Sequence, residues 1–222
     1  MGNTSSQDLL QILLLHNYED VYNLAPIASL LALPTFFEGD FTAAGCEISD
    51  DGQSLLLKLT PGYEAVTDLI RRSFHLSASL EGSFSSPVKI NVPGGVQFEI
   101  SLCVSDRDLL IRIPVYRREL KLFLPDYKNY YYLPAEDYCV HKSLGSLLSA
   151  DAAVKCTAAT CYTKKEGNFV PSSAKKGGNI AKLTYLYQTG YKDTCRYLPA
   201  EVLQEDDVVQ KEYVLDILHA LL

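Results

Sequence analysis

The chain has 222 residues, 47% of them apolar and 21% charged. That is the composition of a core-forming globular chain, one ordinary domain or two small ones, and it excludes intrinsic disorder, collagen-like repeats and coiled-coil fibres. No apolar run reaches the roughly 18 residues of a membrane-spanning helix, and the N-terminus has neither the basic start nor the small-residue cleavage site of a secretory signal, so a cytoplasmic protein without a membrane partner is expected. The net charge of −7 argues against a uniformly basic protein, but residues 155–196 carry Lys155, Lys164, Lys165, Lys175, Lys176, Lys182, Lys192 and Arg196 against only Glu166 and Asp193, a local balance of +6. Such a segment attracts phosphate locally even where the field of the whole molecule opposes it.

The first predicted element is a helix. Ser5 or Ser6 can cap it, Asp8 suits its first turn, and Leu9 to Leu15 are apolar except for Gln11. A helix apolar around its circumference is normally buried between other elements, so a covering neighbour outside this sequence is expected. His16-Asn17-Tyr18-Glu19-Asp20 interrupts the apolar run, which resumes at Val21, Leu24, Ile27, Leu30 and Leu31. Pro26 is expected to kink the helix or start a second one, and Leu33-Pro34 to end it, because proline removes a backbone donor and clashes with the preceding turn.

From Phe36 onward the period changes to that of strands. Residues 41–48, 54–59, 75–80, 88–92, 96–104, 109–116 and 119–124 are short β-prone runs separated by turn signals such as Asp-Asp-Gly, Pro-Gly-Gly and Ser-Asp-Arg-Asp. Alternation in 98–102 and 109–115 favours antiparallel strands with one wet face. Residues 63–72 read as a short helix, 136–148 as another, 157–164 with 182–188 as a hairpin, and 207–221 as a closing amphipathic helix. The six cysteines, at 46, 103, 139, 156, 161 and 195, form no C-x-x-C pair and no zinc spacing and read as buried thiols.

The sharpest chemical signal is His16 with Asp20. Four residues apart on a helix, an imidazole and a carboxylate address the same space, a pairing used in metal-assisted phosphodiester hydrolysis. The surrounding Leu13-Leu14-Leu15-His16-Asn17-Tyr18-Glu19-Asp20-Val21 resembles the last motif of the ribonuclease-H-like 3′–5′ exonucleases of the DEDD type, in their YprB-like bacterial branch. Pro125 to Pro134, Glu136-Asp137 with His141-Lys142-Ser143, Ala158 to Thr163 and Tyr191-Lys192-Asp193 are similar to the domain that trails the nuclease in such proteins. The resemblance implies His16 and Asp20 as catalytic residues, Asp20 as a ligand of Mg or Mn, and residues 1–34 as the C-terminal helix region of an incomplete nuclease fold. Residues 36–222 then form a β-rich trailing domain with helices near 136–148 and 207–221. It departs from the family in one respect: the Asp-x-Glu pair and the further Asp of the metal site have no counterpart upstream of His16, so the isolated chain is expected to be inactive.

Two further patterns complete the reading. Asp137 and His141 stand at i, i+4 near the start of the predicted helix, as a dipole-compensating acid and a half-exposed histidine or as a phosphate contact beside tyrosines. Lys164, Lys165, Lys175, Lys176, Lys182, Lys192 and Arg196 interleave with tyrosines, Tyr162 among them, in the combination that holds single-stranded nucleic acid. The expected fold is α+β: a helical remnant of a ribonuclease-H-like fold, then a mainly antiparallel β domain with C-terminal helices. The expected function is nucleic-acid binding as the C-terminal portion of a metal-dependent exonuclease, its partners nucleic acid, an upstream nuclease fragment or a second copy. The alternative is a non-catalytic interaction module docking through the apolar N-terminal helix.

Overall fold

The computed structural model describes residues 4–73, 83–92, 97–147, 153–173 and 178–221. It is an α+β structure whose sheets are antiparallel throughout. The long helix α1 (Thr4–Phe37) precedes β1 (Phe41–Ile48), β2 (Ser54–Pro61), α2 (Glu64–Ser73), β3 (Val88–Asn91), β4 (Gln97–Ser105), β5 (Asp108–Pro114) and β6 (Tyr116–Phe123). Then come β7 (Tyr130–Leu133), β8 (Tyr138–His141), β9 (Val154–Lys155), β10 (Tyr162–Ser172), α3 (Asn179–Leu183), β11 (Arg196–Pro199), α4 (Ala200–Glu205) and α5 (Asp207–Leu221).

The main sheet has the order β1-β2-β5-β4-β3. Its strands follow the expected alternation: Leu55, Leu57 and Leu59 on β2 and Leu109, Ile111 and Ile113 on β5 point inward and are essentially inaccessible, while Lys58 and Arg112 between them face solvent. Over this face lies α5, capped by Asp206, whose carboxylate accepts from the amides of Val208 (2.9 Å) and Val209 (3.1 Å). Its buried Tyr213, Val214, Ile217 and Leu218 join Val66 and Ile70 of α2 in one core. A second sheet, β11-β10-β6, continues from the first where Val115, itself buried, connects β5 to β6. A third, β8-β7-β9, is very small, its strands four, four and two residues long.

Three expectations need correction. α1 is one helix through Pro26 and Pro34, closing only after Phe37. Packing outweighs the loss of a proline donor in its last turn: Phe36 is fully buried, the Pro34 carbonyl accepts from the Glu38 amide (2.9 Å), and Gly39 at φ 105 supplies the left-handed stop. The domain boundary placed at 34–36 thus falls within that turn, whose Ala32 and Phe36 belong to the main core. The predicted helix at 136–148 is instead β8 followed by a 3-10 segment, Lys142–Leu147. Asp137 takes a left-handed φ of 49° there, a turn conformation that a helix does not tolerate, and the β-prone Tyr130-Tyr131-Tyr132 pairs across it with Cys139 to His141. The hairpin of 157–164 with 182–188 does not form: β10 pairs with β6 and β11, and among the described residues the later segment contributes the isolated bridges Lys121 to Gln188 and Tyr187 to Tyr197. The β-prone run at 75–80 lies outside the described residues.

Candidate functional site

The outer part of α1 is the least ordinary surface of the molecule. Leu9, Leu10, Ile12, Leu13, Leu14, Leu15, Val21, Leu24 and Ile27 are all more than half exposed, Leu13 at 61% and Val21 at 69%. These positions run around the helix instead of forming a stripe, and solvated apolar side chains on every side have no counterpart in a self-contained fold. The helix is bound to the body through its last turns, where Ala32 and Phe36 enter the core and His219 of α5 donates from Nε2 to the Phe37 carbonyl (3.0 Å). No described helix is long and apolar enough to cross a membrane.

In that break His16 Nδ1 lies 2.9 Å from Asp20 Oδ2, and the two side chains are 70% and 61% exposed. The i, i+4 geometry read from the sequence is therefore present, on a bare helix. By itself the pair offers one carboxylate and one imidazole toward the Mg or Mn expected there. Hard divalent cations need several oxygen ligands with an oriented second shell. Among the described residues, the group of three or more ligating side chains that converges is made of thiols, Cys139, Cys156 and Cys161, which do not suit such ions.

The other predicted residues separate into paired and unpaired ones. Lys164 Nζ lies 2.5 Å from Asp137 Oδ2 and 3.8 Å from Glu119 Oε1, and Lys165 is paired with Glu201. Their charge is largely spent within the protein. Tyr162 is buried: its hydroxyl donates to Asp137, Lys121 Nζ covers its ring 4.0 Å from the centroid, and Phe123 packs edge-on against it. No face of that ring is left for a base to stack on. Arg196 is half-buried on β11, Lys182 and Lys192 are exposed, and Lys175 and Lys176 lie outside the described residues.

Asp137 is thus a structural hub. Hydrogen bonds from Lys164, Tyr162 and Tyr132, the last at 2.7 Å, hold its carboxyl well below the usual carboxylate range. In return Asp137, helped by burial, pushes the Tyr132 hydroxyl up to about 12. His141 does not share this cluster. Its ring stands edge-on to Tyr130 and Nδ1 meets Ser143 Oγ at 2.8 Å, which accounts for it as a turn residue. The Asp137–His141 pairing expected of a helix is therefore replaced by two separate local networks.

The convergence that sequence reasoning missed is that of Cys139, Cys156 and Cys161. Cys139 comes from β8, Cys156 follows β9 and Cys161 immediately precedes β10, and their sulfurs all lie within 4.8 Å of one another. Spacings of 17 and 5 residues match no familiar ligand motif. The available signal was the crowding of three of the six cysteines into 23 positions after a stretch, 104–138, that has none.

Comparison with known proteins found no matching family, no matching curated protein and no matching solved structure.

Proposed function

We propose that this chain is a docking module of a ribonuclease-H-like nuclease, with α1 as the plug. The occupant of the α1 surface is the apolar channel of a nuclease body that carries the Asp-x-Glu strand this sequence lacks. One observation carries the reading: large apolar side chains stand exposed around the circumference of a helix about 50 Å long. The choice of occupant is supported by the His16–Asp20 pair at mid-helix and by the motif around it. Seated in such a body, the pair would add one imidazole and one carboxylate to acids supplied by the partner. No catalytic step is assigned to the chain itself.

The test is a mixing experiment with a ribonuclease-H-like nuclease body whose own last helix has been removed. Size-exclusion chromatography with light scattering should give a one-to-one complex, and Leu13→Asp with Leu14→Asp should weaken it by at least about tenfold. A monomeric chain that ignores the nuclease body, or a complex indifferent to the double substitution, overturns the proposal.

A second reading, single-stranded nucleic-acid binding by the body, is favoured by Tyr185 and Tyr191, which are exposed beside the exposed Lys182 and Lys192. With Lys164 and Lys165 already paired, the described members of that set left for phosphate are Lys182, Lys192 and Arg196. If these three alone engage phosphate, the log–log salt slope of affinity should be about −2, against the −4 to −5 that six cations would give. Fluorescence anisotropy with labelled single-stranded DNA and RNA measures it, and absence of a salt-dependent signal at micromolar protein removes this reading.

A further inference from the structure

We propose that Cys139, Cys156 and Cys161 form a three-thiolate site for a soft d10 cation, Zn2+ or Cu+, and that the ion staples the small β8-β7-β9 sheet.

Strands of four, four and two residues bury too little to be stable by themselves, and sheets of this size need a cross-link, a metal or a larger body to lean on. Among the described residues, the buried cluster under the sheet consists of three residues, all cysteine, with Leu124, Tyr127, Tyr130 and Tyr132 packed around them half-buried. Thiols as plain fillers are replaceable by Ala or Val, which bring more reliable packing at no redox risk. A core made of nothing but thiols has ligand chemistry as its common property.

Ligand sulfurs about 2.3 Å from a tetrahedral ion stand about 3.8 Å from one another. Cys156 Sγ and Cys139 Sγ are 3.8 Å apart, far outside the bonded distance of a disulfide, and Cys161 Sγ is within 4.8 Å of both. The three come from different segments and are aimed at one point by their backbones. Between Cys156 and Cys161 the Thr157 carbonyl accepts from the amides of Thr160 (3.1 Å) and Cys161 (3.0 Å), and Thr160 Oγ1 accepts from the Thr157 amide (2.9 Å). That tight turn presents two sulfurs side by side.

Hydrogen bonds also fix the first of these sulfurs in place: the Tyr162 amide donates to Cys139 Sγ at 3.2 Å, and that Sγ donates to the Thr160 carbonyl at 2.9 Å. Three thiolates satisfy Cu+ in trigonal geometry, whereas Zn2+ would take a solvent oxygen as fourth ligand.

The test uses the full chain, purified anaerobically under reductant, stripped with chelator and reloaded with Zn2+ in one arm and Cu+ in the other. We expect about one equivalent bound in at least one arm, shielding of three thiols from a thiol reagent, and a first coordination shell with three sulfurs by X-ray absorption. Cys139→Ser and Cys161→Ser should abolish binding, and Cys46→Ser and Cys195→Ser should not. On loading, amide exchange in residues 130–141 should slow, which a loosely adhering ion would not produce. Less than a tenth of an equivalent of either ion on the unsubstituted chain overturns the proposal, whatever the variants do. So does binding that survives both triad substitutions, or a shell with fewer than three sulfurs. None of these outcomes depends on whether α1 finds a partner.

Discussion

The two long helices at the ends of the chain are both rich in leucine, isoleucine and valine, yet one is buried and the other bare. α5 lies along the main sheet with Val209, Tyr213, Val214, Ile217 and Leu218 closed off from solvent, and the Tyr213 hydroxyl donates to the Pro171 carbonyl at 2.7 Å. α1 offers comparable side chains over a longer span and buries only Ala32 and Phe36 of those described. The difference lies in what each helix meets. α5 presents one face to a sheet and residues such as Asp207 and Lys211 to water, whereas the exposed apolar residues of α1 run around its circumference. Apolar content alone therefore says that a helix wants burial and does not say that its own chain provides it.

Substitutions along the two helices probe this contrast most directly. Tyr213→Ala should have the largest effect, a loss of about 3–5 kcal/mol in urea unfolding, because it opens a cavity in the core and removes a hydrogen bond to a buried carbonyl. Phe36→Ala should cost about 3 kcal/mol by the same measurement, since the anchored end of α1 belongs to that core. A loss below about 1 kcal/mol at either position would break the distinction between the inner and outer helix. At the other extreme, Leu13→Ala should change the stability of the isolated chain by no more than about 0.5 kcal/mol while weakening any complex made through α1.

Between these extremes lie the polar clusters. Asp137 sits lower in the folded chain than in the unfolded one, so its network adds stability that is fully present above the unfolded value of about 4 and is lost as pH falls below it. Unfolding of the native chain and of Asp137→Asn should therefore differ at neutral pH, and the gap should close in acid. A gap independent of pH would mean that the carboxylate contributes by shape alone. The Lys165–Glu201 pair is more open to solvent, and a double-mutant cycle should give no more than about 1 kcal/mol.

The parts legible in the sequence were those fixed locally. The strands of the main sheet, α2 and α5 follow from alternation or periodicity bounded by turn residues, and these elements are where 41–48, 54–59, 63–72 and 207–221 put them. The region after Leu124 was less readable because long-range pairing decides it. Glu136-Asp137 reads as a helix start until Tyr132, Tyr162 and Lys164, brought in from other strands, take the carboxylate. Lys164 and Lys165 read as phosphate ligands until their acidic partners, 27 and 36 residues away, arrive. The thiol cluster shows in the sequence only as crowding of three cysteines, because its spacing is set by sheet geometry and by one five-residue turn.

Strand β10 joins the two ends of this story. Its first residue, Tyr162, donates its amide to a sulfur of the cysteine cluster, and its last four, Phe169 to Ser172, are buried, Phe169 and Val170 in the two larger cores. An event at the sulfurs thus acts on a rod whose far end is clamped in the body. Loosening the clamp should in turn raise the free energy needed to assemble the sulfur cage, so the small lobe and the main core should melt as one cooperative unit when the cage is filled and as two when it is empty.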